Sequence, residues 1–284
     1  MTAPTPSFFR SAQGYRLAQY DWPLAPAQAR AQLLLVHGLG EHAGRHDALA
    51  RQLNAWGLAV RGYDHYGHGQ SDGPRGALQH AGQLTADLAQ LLQATRAQLP
   101  PGQPLLLLGH SMGGLVAADL VACGLQPVDG LVLSSPALAA FLSPLQKLLL
   151  ACLPGLLPNL RVGNGLDAND LSHDPAVAAA YRADPLCHDR ISARLARYIA
   201  QGGQGVLAAA PRWPVPTLLL WGEADRIVNP AGCRALAAAA PAQQLAAQGF
   251  AGLYHEIFNE LQADSVLQRL QAWLQEEKWR FPRV

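Results

Sequence analysis

Five short apolar runs, with helix-period stretches between them, constrain this chain more than any other feature. They are Leu33 to Val36, Leu58 to Tyr63, Leu105 to Leu108, Gly130 to Leu133 and Thr217 to Trp221, and each stops at Gly, Pro, Asp or a turn rich in them. Runs apolar at nearly every position leave no solvent face, which marks strands buried on both sides. Helical patterns fall at about 45–55, 80–98, 112–123 and 231–240, with a last one near 262–278. Strand alternating with helix means βαβ units, hence a mostly parallel sheet with flanking helices. Ahead of them, Phe8 to Arg10 and Tyr15 to Tyr20 flank Gln13-Gly14 and read as an antiparallel hairpin. Composition fits such a core: of 284 residues, half are hydrophobic and only 14% charged, which excludes general disorder.

One interval breaks the rhythm. About 80 residues separate Pro136 from Pro216, where a crossover helix and its loops need only about a dozen. This stretch reads as a helical cap, 136–212, inserted between a first core part, 1–135, and a second, 213–284. Asp174-Pro175 and Asp189 suggest helix starts within it, and Gly202-Gly203 a stop. From Pro144 to Pro158, Leu145, Leu148, Leu149, Cys152, Leu153 and Leu156 make one apolar stripe at helical spacing. Leu142, Leu150 and Leu157 add apolar surface outside the stripe, and Lys147 is the only charge. Two readings stand: a cap helix packed on the core, or a lid whose surplus leucines rest reversibly on a lipid surface while the stripe lines an acyl tunnel. The segment is too short and too broken by proline and polar residues to span a membrane.

The pattern G-x-S-x-G occurs twice, as Gly109-His110-Ser111-Met112-Gly113 and as Gly69-Gln70-Ser71-Asp72-Gly73. Given its glycine and serine content, roughly one such chain in ten carries a chance match, so context must decide. A nucleophile elbow needs a strand leading in and a helix leading out, which hold the serine oxygen exposed above an α/β-hydrolase sheet. Ser111 has both, between Pro-Leu-Leu-Leu-Leu and Met-Gly-Gly-Leu-Val-Ala-Ala. Ser71 sits among glycines and a proline, which is loop chemistry, so its hydroxyl is expected to close a turn.

A serine hydroxyl needs a base to take its proton. In this fold the order is Ser, acid, His. Of 10 histidines, only His255 follows the last strand-ending acid, which makes it the base by elimination. The acid must hold the imidazole in its working tautomer. Asp225 ends a strand and is preferred; Glu223, two residues earlier in the same turn, is its rival. An oxyanion hole needs two backbone N–H groups. Met112, directly after the nucleophile, and Leu39, in the turn His37-Gly38-Leu39-Gly40, are the expected donors. His37 and His110 read as neutral, hydrogen-bonded supports beside them.

Other chemistries fit less well. Neither Asp64, His65 and His68 nor His37, His42 and His46 have the spacing that puts metal ligands on one helix face, so no metal is expected. The four cysteines, Cys123, Cys152, Cys187 and Cys233, form no C-x-x-C pair and read as reduced thiols. A net charge of +1 without any like-charge block argues against nucleic acid as a partner. The first residues lack the basic and apolar regions of a secretory signal, so a cytoplasmic location, with peripheral membrane contact at most, is the expectation.

Several stretches together resemble the monoglyceride lipase group of the α/β-hydrolase superfamily, which includes bacterial lysophospholipases. They are His37-Gly-Leu-Gly-Glu-His-Ala-Gly-Arg45, Gly62-Tyr-Asp-His-Tyr-Gly-His-Gly-Gln-Ser-Asp-Gly73, Gly109-His-Ser-Met-Gly-Gly114, Leu133-Ser-Ser-Pro136, Gly222-Glu-Ala-Asp-Arg-Ile-Val228 and Tyr254-His-Glu-Ile-Phe-Asn-Glu260. The resemblance implies Ser111, Asp225 and His255 as triad and Leu39 and Met112 as oxyanion donors. It also implies that Glu41 and Arg45 sit near the alcohol end of the substrate, although a structural ion pair would use the same two residues. His46 departs from the aromatic residue usual at its position, and the insertion carries none of these motifs. The implied activity is hydrolysis of a single-chain lipid ester, foremost monoacylglycerol, through an acyl-enzyme and with no cofactor. Lysophospholipase or broad carboxylesterase activity is the alternative; an acyltransferase, or a non-catalytic binding module on the same fold, comes after it.

Overall fold

The computed structural model describes residues 4–276 and residue 279. The hairpin is β1 (Ser7–Arg10) and β2 (Arg16–Trp22), paired antiparallel with Phe9 opposite Leu17. Then follow β3 (Ala31–Val36), α1 (Asp47–Ala55), β4 (Leu58–Tyr63), α2 (Gln83–Arg96), β5 (Leu105–His110), α3 (Ser111–Ala122) and β6 (Gly130–Ser134). The insertion holds α4 (Pro144–Leu156), β7 (Arg161–Gly163), α5 (Pro175–Ala183), β8 (Arg190–Ser192) and α6 (Ala193–Ala209). The core resumes with β9 (Thr217–Gly222), α7 (Ala231–Ala239), β10 (Leu245–Phe250) and α8 (Ala263–Glu276).

Eight strands form one sheet in the order β1-β2-β4-β3-β5-β6-β9-β10, parallel from β4 to β10. Both faces of the sheet are covered, which is why its strands read as continuous apolar runs. Leu34, Val36, Leu105 and Leu107 face the side covered by α2, α3, α6 and α7. Leu33, Leu35, Leu106 and Leu108 face the side covered by α1 and α8. The register sets Val36 opposite Gly109, His110 opposite Ser134 and Ser134 opposite Leu220. The C-terminal ends of β3, β5, β6 and β9 therefore share one edge, where ligands of open α/β sheets bind.

Four expectations about local structure need correction. Strand β10 has no counterpart among the apolar runs, because Leu-Ala-Ala-Gln-Gly-Phe is weak in β-branched residues and owes its form to pairing with β9. The insertion is not wholly helical, since β7 and β8 pair as an antiparallel ribbon. That ribbon takes the residues after Asp189, so α6 starts later, where the Ser192 hydroxyl accepts from Leu195 N–H. Gly202-Gly203 stops nothing: α6 runs through both, and a Cβ on Gly203 would lie 1.9 Å from the Leu138 carbonyl oxygen. These glycines admit close packing, Gly202 against Leu115 and Gly203 against Leu138. The Asp174-Pro175 start is as read, with Asp174 capping Ala176 N–H.

The leucine stripe of α4 is rotated from its expected phase. Leu149, Leu150, Leu153 and Pro154 line a groove under the helix, whereas Leu148, Cys152 and Leu156 face outward. Leu150 thus belongs to the inner face; Leu157, also placed off the stripe, is exposed. The side chains of Leu145 and Lys147 lie outside the described residues. Among the described residues, no helix is long and apolar enough to cross a membrane.

Candidate active site

Ser111 opens α3 directly after β5, with φ at +54°, a conformation rare outside glycine. The turn is possible because its flanks are bare. A Cβ on Gly109 would meet the Gly113 carbonyl oxygen at 2.5 Å, and one on Gly113 would meet that of Val36 at 2.3 Å. Ser71, in the second G-x-S-x-G, is spent on structure: its Oγ accepts from Ala18 N–H at 2.9 Å and donates to the Asp64 carbonyl at 2.6 Å.

Asp225 follows β9. Its Oδ1 accepts from the N–H groups of Ile227 and Val228 at 2.8 and 2.9 Å, and its Oδ2 lies 2.6 Å from His255 Nδ1. A carboxylate only accepts, so the proton sits on Nδ1, and Nε2 is left to accept from Ser111 Oγ–H at 2.8 Å. Ser111, His255 and Asp225 form one buried hydrogen-bonded line. Burial disfavours a charged His255, but the Asp225 charge and hydrogen bond, with Glu256 and Glu41 adding to them, raise its pKa above the ordinary value. Glu223 is engaged elsewhere: it accepts from Trp221 Nε1 at 2.9 Å and pairs with Arg234.

Met112 lies in the first turn of α3, where backbone N–H groups have no intrahelical partner. Leu39 lines the same small pocket as Ser111. The preceding amide, Gly38 N–H, is taken by Glu41 Oε1 at 2.6 Å. His37 is fully used: Nδ1 donates to the Gly38 carbonyl at 2.7 Å, and Nε2 accepts from His65 N–H at 2.9 Å. Burial holds its pKa well below the usual range, and burial, with His255 nearby, pushes His110 down to about 4. Both are neutral supports. Two hydrogen bonds from the insertion, Tyr181 Oη–H at 3.0 Å and His188 N–H at 2.9 Å, converge on the Gly40 carbonyl.

Glu41 and Arg45 form the ion pair that is one of their two readings, and both line the pocket beside Ser111. Arg45 bridges Glu41 and Glu256 in a buried ion pair, and all three line the pocket with Tyr181. Glu256 and Tyr181 escaped notice in the sequence, because the first needs Arg45 and the second the insertion to bring them there. His46 lies 3.2 Å from Glu41. The pocket adjoins an apolar groove of about 540 Å³ beneath α4 and beside α6. Leu39, Leu166 and Ile227 border both.

In the two histidine sets weighed as metal ligands, His42 meets Asp184 and His46 meets Glu41. Asp64 accepts from Ala43 and Gln70 N–H groups and from Tyr20, and His68 Nδ1 meets the Tyr66 carbonyl. Among the described residues, donor atoms of His42, Asp184 and Cys187 come within 4.8 Å of one another. His42 Nδ1 has no partner there, so the backing that a ligating imidazole needs is missing.

Residues 27–262 match the serine aminopeptidase S33 family. A monoacylglycerol lipase of Mycolicibacterium smegmatis is 35% identical over 269 residues, spanning 94% of this chain and 95% of its own. A monoglyceride lipase of Rattus norvegicus is 34% identical over 253 residues, 86% of this chain and 82% of its own. The crystal structure of Paleococcus ferrophilus monoacylglycerol lipase superposes with a TM-score of 0.81 at 33% identity, covering 92% of this chain and 98% of the other. Matched in sequence and in fold over most of its length, the chain is an ester hydrolase belonging to the serine aminopeptidase S33 family and, within the α/β-hydrolase superfamily, to its monoglyceride lipase group.

Proposed function

We propose that the protein hydrolyses the carboxylic ester of a single-chain lipid, foremost a monoacylglycerol, with Ser111 as nucleophile, His255 as general base and Asp225 as the orienting acid. The observation that carries this reading is the Ser111–His255–Asp225 line, set where a small pocket holding Glu41 and Arg45 adjoins a large apolar groove. A groove of this size falls in the range of small-molecule sites. It takes the acyl chain, and the pocket beside Glu41 and Arg45 takes the alcohol. Ser111 Oγ attacks the carbonyl carbon as its proton passes to His255 Nε2. The N–H groups of Leu39 and Met112 receive the oxyanion. Collapse expels the alcohol with the proton held on Nε2, and water then repeats the sequence on the acyl-enzyme to free the fatty acid.

The segment 136–212 is assigned as a cap that shapes the acyl side. Leu148, Leu156 and Leu157 on its outer surface, more than half exposed, give it an apolar face for reversible contact with a lipid surface. The test is a fluorophosphonate probe together with a panel of monoacylglycerols, lysophospholipids and short aryl esters. Labelling and turnover are expected to vanish in Ser111→Ala, and monoacylglycerols to be the best substrates. Labelling that survives in Ser111→Ala and disappears in Ser71→Ala overturns the nucleophile. Preference for lysophospholipids replaces the alcohol assignment.

A further inference from the structure

Glu256 lies outside the Ser111–His255–Asp225 line, yet it closes a chain of charges whose two ends are tied to segments that line depends on. Arg45 Nη1 donates to Glu41 Oε2 at 2.8 Å and to Glu256 Oε1 at 2.7 Å, and Nη2 donates to Glu256 Oε2 at 3.1 Å. At one end, Glu41 Oε1 holds Gly38 N–H, one residue before Leu39. At the other, Glu256 follows His255 in the chain, its N–H donates to the Leu171 carbonyl at 2.8 Å, and its Oε2 accepts from Asn259 Nδ2 at 2.7 Å. The side chains of Glu41, Arg45 and Glu256 are all at least nine-tenths buried. Stability is a poor reason for such a group. Desolvation consumes most of what a buried ion pair gains, and here two buried carboxylates share one guanidinium. Fixing the relative position of the segments it joins is the better-attested use of buried charge.

We propose that Glu256 is a positioning residue: through Arg45 and Glu41 it sets the separation between the His37–Gly40 turn and the His255 loop, so that the Leu39 donor and the His255 base address the same substrate carbonyl. This rests on the roles proposed above for Ser111, His255 and Leu39. A misplacement of about 1 Å between such groups lowers turnover by up to ~10²-fold. Glu256 also acts on His255 through charge. The groups facing His255 are Asp225, Ser111, Glu256, Glu41, Arg45 and His110. A carboxylate in this set favours the imidazolium, so removing one carries the protonation step to lower pH.

The test measures hydrolysis of p-nitrophenyl acetate across the histidine pH range in wild type, Ser111→Ala, Glu256→Gln and Glu256→Asp. Glu256→Gln keeps the size of the side chain and loses the charge. It is expected to lower kcat about tenfold or more with KM nearly unchanged, and to move the acid limb of the profile to lower pH. Glu256→Asp keeps the charge but falls short of Arg45, so kcat drops while the acid limb stays in place. The limb reports the charge of Glu256 alone, whereas a merely structural role leaves kcat unchanged once folding is complete. Wild-type kcat in either variant, or a loss confined to KM, overturns the inference; should Glu256→Gln fail to fold, Glu256→Asp decides alone. Turnover that persists in Ser111→Ala overturns instead the reading on which the inference rests.

Discussion

Replacing Asp225 with Asn removes one charge and no bulk, and the geometry around it says how the loss should appear. Oδ1 accepts from two backbone N–H groups, and Oδ2 accepts from His255 Nδ1. An amide has one accepting oxygen. If that oxygen stays with Ile227 and Val228, the amide NH₂ faces Nδ1, which must then accept, and the ring proton moves to Nε2. Ser111 then faces a donor and has no base. If the amide turns round, its NH₂ meets the N–H groups of Ile227 and Val228, two donors against a donor, so the first arrangement prevails. The imidazolium formed in the reaction also loses its counter-charge. Loss of the orienting acid in other serine hydrolases costs ~10⁴ in kcat, about 5.4 kcal/mol of transition-state stabilisation. Thermal stability should change little, since both backbone bonds survive. Initial rates on p-nitrophenyl acetate and a thermal melt, run side by side, read both quantities. Glu223→Gln is the control and should stay within a few-fold of wild type, its partners being Trp221 and Arg234. Activity of Asp225→Asn within tenfold of wild type, or an equal loss in Glu223→Gln, would refute the assignment.

Other outcomes follow from the same structure. The kcat/KM for a soluble ester should rise with pH through a midpoint above the ordinary histidine value, because only neutral His255 accepts a proton and its pKa is raised; a flat profile refutes His255 as base. His65, pushed down to about 4 by burial, has both ring nitrogens unpartnered, so it is charged in the unfolded chain below pH ~6.5 and neutral in the folded one. It therefore withdraws stability as pH falls from the ordinary histidine value toward about 4, and His65→Phe should raise Tm more in acid than at alkaline pH; any packing cost appears at both pH values and cancels. Gly203→Ala should destabilise by about 1–3 kcal/mol through the clash with Leu138, whereas Gly205→Ala in the same helix, with nothing near its Cβ, should stabilise by about 0.4–1 kcal/mol, both read from thermal melts. Leu148→Ser with Leu156→Ser should weaken co-sedimentation with liposomes and leave short-ester hydrolysis unchanged; equal sedimentation of mutant and wild type refutes the membrane face.

What could be read without coordinates tracks where local sequence dictates local form. The apolar runs had to be buried strands, and the bare Gly109 and Gly113 around Ser111 had to be an elbow, because both patterns are dictated within a few residues. Asp225 was legible as the end of β9. His255 was found only by elimination, since the strand that delivers it, β10, is too poor in β-formers to announce itself and exists by pairing with β9. Glycine misled at 202–203, where it reports close neighbours distant in the chain, Leu115 for Gly202 and Leu138 for Gly203, and not the end of a helix. The phase of α4 escaped for a related reason: a helix with leucine on most sides has no unique apolar stripe, and tertiary contact chooses the face. Arg45 and Glu256 lie 211 residues apart, and no local pattern links them.

The two hydrogen bonds that Gly40 receives from Tyr181 and His188 bear on how specificity can diverge. They make the later half of the insertion part of the scaffold. Leu171, which accepts from Glu256, and Ser172, bonded to Glu260, belong to the same half. The earlier half, from Phe141 to Val162, lines the groove, which it shares with Leu39 of the turn. The insertion is thus tied to the core unequally along its length. Substitutions in α4 and the segment after it should reshape the groove without touching the two hydrogen bonds to Gly40, whereas a graft that carries 171–192 with it should replace them. Chimeras joined near residue 165 should keep turnover and exchange chain-length preference; chimeras joined at both ends of the insertion should lose the first before the second can be measured.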